Sequence, residues 1–159
     1  MTPAPAHPGP RAPQGAPAAG LGWHAVELLL HRAPLLLLDT VEEVTPDHCR
    51  TRLTVDPGAW YAQADGAMPA WFGLELMAQT IATYSGHRQK RVNHPLCLGY
   101  LLGTANYESV LPAFPAGMVL ETEAMLQFWD ELTLSAFRCE ISHRGQPLAS
   151  ATLKVLEEL

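Results

Sequence analysis

The chain has 159 residues, of which 48% are hydrophobic and 16% charged, and its formal net charge is −6. This length is typical of one globular domain with its own core, and the acidic balance leaves no basic surface for nucleic acid. No apolar stretch is long enough to span a membrane, so the sequence predicts a cytoplasmic protein with neither a membrane nor a nucleic acid partner.

The cysteines indicate neither a disulfide framework nor a metal site. Cys49, Cys97 and Cys139 are odd in number and far apart in sequence, and none belongs to a CxxC motif. Buried free thiols are therefore expected at all three positions. No other pattern indicates a metal or a cofactor, and the sequence predicts none of either.

The N-terminal residues differ in composition from the rest of the chain. Residues 1–20 contain six prolines among alanines and glycines, a composition that cannot bury a core. We predict a disordered Pro/Ala-rich tail over residues 1–22, followed by a single domain over residues 23–159.

The segment after the tail changes from helical to strand periodicity. Residues 23–31 suit a short amphipathic helix or turn, and residues 35–44 suit a buried strand, since Pro34 argues against a helix there. "TPD" at 45–47 marks a turn, and the alternation over residues 49–55 predicts a half-buried strand.

A long apolar helix is predicted next. It should begin near Pro69, a residue favoured in the first helical turn, and end at about Gly86, before the cationic sequence "HRQKR". Glu75 is the only charged residue between Gly66 and Gly86. Because a helix that is apolar on every side is usually buried on every side, we expect the rest of the chain to wrap around it.

The C-terminal half is dominated by period two, which predicts strands. Four segments fit, at 96–109, 118–129, 132–142 and 148–158. In the second segment, one face should carry Leu120, Thr122, Ala124, Leu126 and Phe128. In the fourth segment, one face should carry Ala149, Ala151, Leu153 and Val155. One long helix with about five antiparallel strands predicts an α+β fold, with the sheet curled around the helix.

Glu75 is the candidate catalytic residue. A buried, unpaired carboxylate should have its pKa raised towards neutrality, which is what a general acid requires near pH 7. Gln79, one turn later, is placed to hydrogen-bond Glu75. The alternative is that Glu75 reaches a cavity edge or a subunit interface and is neutralised there. The helix start, around Ala70, offers free N–H groups to a thioester carbonyl.

The sequence resembles the hotdog-fold 3-hydroxyacyl-ACP dehydratases in two motifs. "HRAPLLLLD" at 31–39 is similar to the family's "HRxPxLLxD", and "MPAWFGLELMAQ" at 68–79 is similar to its "MPGxLxxExxAQ" central helix. The "ADG" loop at 64–66 gives a closer resemblance to a divergent branch found with aryl polyene pigment synthesis. The resemblance implies a hotdog fold and an acyl-carrier-protein partner whose phosphopantetheine arm carries the substrate.

The family's second catalytic residue is absent. In the family a His fourteen residues before the helix carboxylate removes the α-proton, while the carboxylic acid helps the 3-hydroxyl leave as water. Here that position is Tyr61, and no His occurs between His48 and His87. A phenol is a poor base at neutral pH. Because the family places its His and its carboxylate on different subunits, a homodimer or a heterodimer with another hotdog dehydratase is implied, and in the heterodimer the partner supplies the His.

Three functions remain open on the sequence alone. The first is a dehydratase-type subunit completed by a partner, with Tyr61, Asp65, Ala70 and Gln79 as candidate substrate contacts. The second is an acyl thioesterase that uses Glu75, the Ala70 N–H and assistance from Asp65. The third is a catalytically silent subunit that stabilises an active homologue or binds the carrier protein.

Two further residues of the first motif are candidates for a different contact. His31 and Arg32 could reach a phosphopantetheine arm. For both, a structural hydrogen bond is the favoured interpretation.

Overall fold

The computed structural model describes residues 23–130 and 132–158. The predicted tail over residues 1–22 lies outside the described residues and stays a prediction. No helix within the described part of the chain is long and apolar enough to cross a membrane.

A six-stranded antiparallel sheet forms most of the domain, in the order β1-β2-β6-β7-β8-β4. A two-stranded sheet pairs β3 with β5. The helices are α1 and α2. In chain order the elements are α1 Ala25–Leu28, β1 Thr40–Val44, β2 His48–Thr54, β3 Met68–Pro69, α2 Phe72–Arg91, β4 Gly99–Ser109, β5 Ala113–Phe114, β6 Val119–Trp129, β7 Leu134–His143 and β8 Gln146–Glu157. The predicted α+β architecture, a curled antiparallel sheet around one long helix, is confirmed.

The core lies between α2 and the facing side of the large sheet. Met77 and Ile81 of α2 are almost completely buried, as are Leu120, Phe137 and Leu153 from three central strands. Burial of such side chains is the main favourable term in folding. The core therefore fixes α2, and with it Glu75, relative to the sheet.

The limits of the long helix differ from the prediction at both ends. Pro69 lies in β3, paired with Ala113, and the helix begins only at Phe72. At the other end the helix continues beyond Gly86 to Arg91. A Cβ atom at Gly86 would lie 1.9 Å from the Leu28 carbonyl oxygen, so this glycine permits a close backbone approach and does not end the helix.

The predicted strand over residues 35–44 is only half correct. The strand begins at Thr40. The N–H groups of Leu35 and Leu36 donate to the Arg32 carbonyl in a turn, and the N–H of Leu37 donates to the Gln79 side chain. The residues before β1 thus satisfy their backbone groups without a neighbouring strand.

The predicted inner faces of the strands are largely confirmed. Ala149, Ala151, Leu153 and Val155 of β8 are all buried, as are Leu120, Thr122 and Ala124 of β6. Phe128 is 52% exposed. The reason is a register shift between Leu126 and Phe128 in the pairing of β6 with β7, because a bulge reverses which face a side chain takes.

Two of the three cysteines have the predicted environment. Cys49 and Cys139 are buried, whereas Cys97 is only partly buried. Burial raises the pKa of the Cys139 thiol to about 12, and burial together with the nearby Cys139 raises the pKa of Cys49. Both buried cysteines therefore stay protonated at neutral pH and act as small apolar side chains.

Candidate active site

A cavity of about 600 Å³ lies along α2, from Glu75 near its start to Gln89 near its end. Its walls come from residues 28–35, from one face of α2, from the beginning of β4 and from the end of β8. Most of the lining side chains are aliphatic, and Glu75 and His31 are among the polar ones. A space of this size and character suits an acyl chain with a polar group at one end.

Glu75 lies in the first turn of α2, and its side chain is 46% exposed. A buried, unpaired carboxylate is therefore not what the single chain shows, since the sheet covers the other faces of the helix. The hydrogen bond expected from the i+4 spacing is present, because Gln79 Nε2 donates to Glu75 Oε1 at 2.8 Å. The carboxylate thus lies at the edge of the cavity. A position at a cavity edge is the alternative that the sequence leaves open.

Gln79 joins α2 to the segment that carries the first motif. Its side chain is completely buried. Besides contacting Glu75, its Nε2 donates to the Leu35 carbonyl at 2.8 Å, and its Oε1 accepts from the Leu37 N–H at 3.0 Å. The indole N–H of Trp60 donates to the Pro34 carbonyl at 2.8 Å. These contacts hold residues 34–37 against the helix, next to Glu75.

Replacing Gln79 with Met should destabilise the protein. The change leaves the buried Leu37 N–H and the part-buried Leu35 carbonyl without their partner, and a buried polar group without a partner costs about 1 to 3 kcal/mol. We expect the free energy of unfolding, measured by urea denaturation, to fall by about 2 to 4 kcal/mol. Gln127→Met, at an exposed glutamine of β6, is the control. Equal losses in the two variants would contradict this role of Gln79.

All four predicted substrate contacts lie outside the lining of the cavity, and three of them also lie away from Glu75's hydrogen bonds. The Tyr61 hydroxyl accepts from the Asp56 N–H at 2.9 Å, and its ring packs against Phe72. Asp65 is exposed, and its side chain accepts from the Ala67 N–H at 3.0 Å.

Ala70 is the third. Its N–H donates to the Pro112 carbonyl at 3.0 Å, and its carbonyl accepts from the Tyr107 hydroxyl. A thioester carbonyl could use the Ala70 N–H only by sharing or displacing the first of these bonds. None of the four predicted substrate contacts lines the cavity. The structure brings only Gln79 to Glu75, through the hydrogen bond between their side chains.

His31 lies beside Glu75, a position that the sequence analysis does not predict. Its Nε2 lies 3.6 Å from Glu75 Oε1, although a structural hydrogen bond is the favoured interpretation of the sequence. Arg32 does have that structural role, since its guanidinium donates to the carbonyls of Leu29 and His31. Because His31 is 44 positions from Glu75, no local periodicity relates them, and only the joint occurrence of the two motifs indicates that they meet.

The described residues contain no group of three or more His, Cys, Asp or Glu side chains arranged to hold a metal ion. His94 Nδ1 and Cys97 Sγ approach to 3.6 Å, and this pair forms no such group.

The comparisons with known proteins assign the family. A family model described as "ApeP-like: ApeP dehydratase" matches residues 23–158. The chain belongs to the ApeP-like dehydratase family. A comparison with curated proteins found no match.

Two solved structures similar to this ApeP-like chain bear on its family and on its fold. A chain of the dehydratase heterocomplex ApeI:P from Xenorhabdus doucetiae is 32% identical, with a TM-score of 0.82, covering 86% of this chain and 92% of that one. A hypothetical thioesterase with coenzyme A from Streptococcus pneumoniae is 14% identical, with a TM-score of 0.59 and coverage of 74% and 84%. The second likeness shows the fold alone. The predicted hotdog fold and the predicted membership of a dehydratase family are thus confirmed.

Proposed function

We propose that this ApeP-like chain is a dehydratase-type subunit of aryl polyene biosynthesis, acting on 3-hydroxyacyl groups that an acyl carrier protein holds as phosphopantetheine thioesters. The observation that carries the proposal is Glu75, which lies with a partly exposed carboxyl group at the edge of a largely apolar cavity of about 600 Å³. Membership of the ApeP-like dehydratase family supports the reaction class.

Glu75 serves as the general acid in this proposal. A base removes the proton from Cα of the thioester, and the electron pair forms the Cα–Cβ double bond. The C–O bond at Cβ breaks as the hydroxyl takes the proton of the Glu75 carboxylic acid and leaves as water. Glu75 is left as a carboxylate and regains a proton from solvent or from the base. A positioned acid of this kind contributes about a hundredfold to ten-thousandfold to the rate.

A hotdog partner supplies the base. Tyr61, at the position of the family's histidine, already accepts a hydrogen bond from Asp56 and does not line the cavity of Glu75. A homodimer would not provide an imidazole at this position, because the second copy carries Tyr61 as well. The heterocomplex among the similar structures supports a heterodimer of two hotdog chains.

The edge of β4 is the surface on which we expect the partner to dock. β4 ends the large sheet and pairs only with β8 among the described strands. Tyr100, Leu101 and Leu102 are all exposed there. Long exposed edges with apolar side chains favour pairing with another strand. Leu101 also lines the cavity of Glu75, so a partner on this edge would reach the mouth of the cavity.

The experiment is co-expression with hotdog dehydratase homologues that retain the histidine loop, followed by dehydration assays on 3-hydroxyacyl-ACP. We expect stable co-purification and a complex that dehydrates faster than the single chain. Leu102→Lys should abolish co-purification, because it places a charge on the β4 edge, whereas Met125→Lys, at an exposed position of β6, should not. Full activity of the purified single chain would contradict the need for a partner, and release of free thiol would indicate a thioesterase.

A further inference from the structure

We propose that His31 is a positioning residue for Glu75. Together with Gln79 it directs N–H groups at Oε1 of the carboxyl group, so that the acidic proton is held on Oε2, the oxygen left to face the substrate hydroxyl. The positioning role rests on the proposed function, because it explains how Glu75, the general acid of the proposed dehydration, is oriented.

The contacts of Glu75 are the first observation. Gln79 Nε2 lies 2.8 Å and His31 Nε2 3.6 Å from the same oxygen, Oε1. Within residues 23–130 and 132–158, no hydrogen bond involves Oε2. A protonated carboxyl group has one oxygen that only accepts and one that donates. The hydrogen bond from Gln79 to Oε1, with the His31 imidazole nitrogen 3.6 Å from the same oxygen, therefore favours the proton on Oε2.

The surroundings of the imidazole are the second observation. Nδ1 of His31 is buried and has no hydrogen-bond partner among the described residues. A neutral imidazole carries its proton on one nitrogen and accepts on the other. A proton on Nδ1 would bury an N–H without an acceptor, which costs free energy. The structure therefore favours the tautomer with the proton on Nε2, directed at Glu75.

The same tautomer makes His31 unsuitable as the base. To remove the α-proton at the mouth of the cavity, Nε2 would need a free electron pair, and the proton would then have to be on the buried Nδ1. His31 consequently does not replace the histidine that the resemblance places on a partner. The distance from His31 Nε2 to Glu75 Oε1 is about half an ångström longer than a direct hydrogen bond. The imidazole therefore orients the carboxyl group through the electrostatic attraction between its N–H dipole and Oε1.

The two residues are held together by the structure around them. Arg32 anchors the turn that carries His31 through the Leu29 carbonyl, at 2.7 Å. Gln79 anchors the following residues through Leu35 and Leu37. The segment that carries the imidazole is thus braced by Arg32 and joined to α2 by Gln79, an arrangement that limits the movement of His31 relative to Glu75.

Kinetics of the complex with its hotdog partner test the proposal. His31→Ala should lower kcat for dehydration by about a hundredfold, the effect expected of a misplaced catalytic group, with KM unchanged. His31→Gln should recover most of the loss, because its amide presents an N–H at the position of Nε2. His48→Ala is the matched control, since His48 lies 3.8 Å from Glu43 on the outer surface of the sheet. An unchanged kcat in His31→Ala, or a His31→Gln variant as slow as His31→Ala, would overturn the proposal.

Nitrogen-15 NMR of the full chain tests the tautomer without any substrate. We expect His31 to show a protonated Nε2 and an unprotonated Nδ1, and we expect its Nε2–H signal to shift in Glu75→Gln while the signals of His48 do not. A proton on Nδ1, or no response to Glu75→Gln, would refute the positioning role. Because this readout needs no turnover, it separates failure of the positioning role from failure of the proposed dehydration.

Discussion

Glu75→Gln should lower kcat for dehydration by the complex at least about a hundredfold. Glutamine has nearly the shape of glutamate, and its carbonyl oxygen can still accept from Gln79, but it cannot give a proton to a leaving hydroxyl. Since the Glu75 side chain is 46% exposed, the free energy of unfolding should change by no more than about 0.5 kcal/mol. Steady-state kinetics and urea denaturation on the same preparations measure the two effects.

Glu43→Gln is the matched control for this prediction. The Glu43 side chain is 45% exposed and also lies near a histidine, His48, and an arginine, Arg50. It belongs to β1 and does not line the cavity of Glu75. We expect unchanged kcat in this variant. A similar loss in both variants, or none in Glu75→Gln, would show that Glu75 is not the acid.

Arg88→Met should destabilise the domain more than any change at an exposed ion pair. Glu157 is only 10% exposed, and its carboxylate accepts from Arg88 Nη2 at 2.5 Å and from Ser85 Oγ at 2.6 Å. The Arg88 guanidinium also lies 4.2 Å from the ring centre of Trp129. Removing one partner of a buried ion pair leaves an uncompensated charge, so we expect a loss of about 3 kcal/mol in the free energy of unfolding.

Two comparisons make this prediction specific. Combining Arg88→Met with Glu157→Gln should restore part of the lost stability, because the unpaired charge is then gone. Arg50→Met, which breaks the 3.5 Å contact between half-exposed Arg50 and Glu123, should cost less than about 1 kcal/mol. Equal losses at the two arginines, measured by urea denaturation, would refute the assignment of Arg88 and Glu157 as a structural buried pair.

The fold could be predicted from patterns that act over a few residues. Period two over residues 118–129 and 148–158 reflects side chains that alternate between the core and solvent, and the structure confirms both strands. The errors occur where a tertiary contact overrides a local preference. Gly86 is an ordinary signal for a helix end, but here it lies against the Leu28 backbone inside the helix.

The site could be predicted only in part for the same reason. Glu75 and Gln79 are one helical turn apart, so the sequence predicts their hydrogen bond, which is present. The turn over residues 32–36 and the bonds from Gln79 to Leu35 and Leu37 bring His31 to Glu75. These contacts depend on the packing of two distant segments. The exposure of Glu75 likewise depends on tertiary structure, because the cavity edge on which it lies is uncovered in the single chain.

The central claim is that Glu75 and an imidazole from a hotdog partner act in one active site. The most direct measurement is the dehydration rate of four complexes, with Glu75→Gln and replacement of the partner's loop histidine made separately and together. Residues that act as a unit are strongly non-additive. We predict that each single change removes almost all activity and that the double change is no worse. An unchanged rate in the Glu75→Gln complex, with activity lost only on changing the partner's histidine, would contradict the claim.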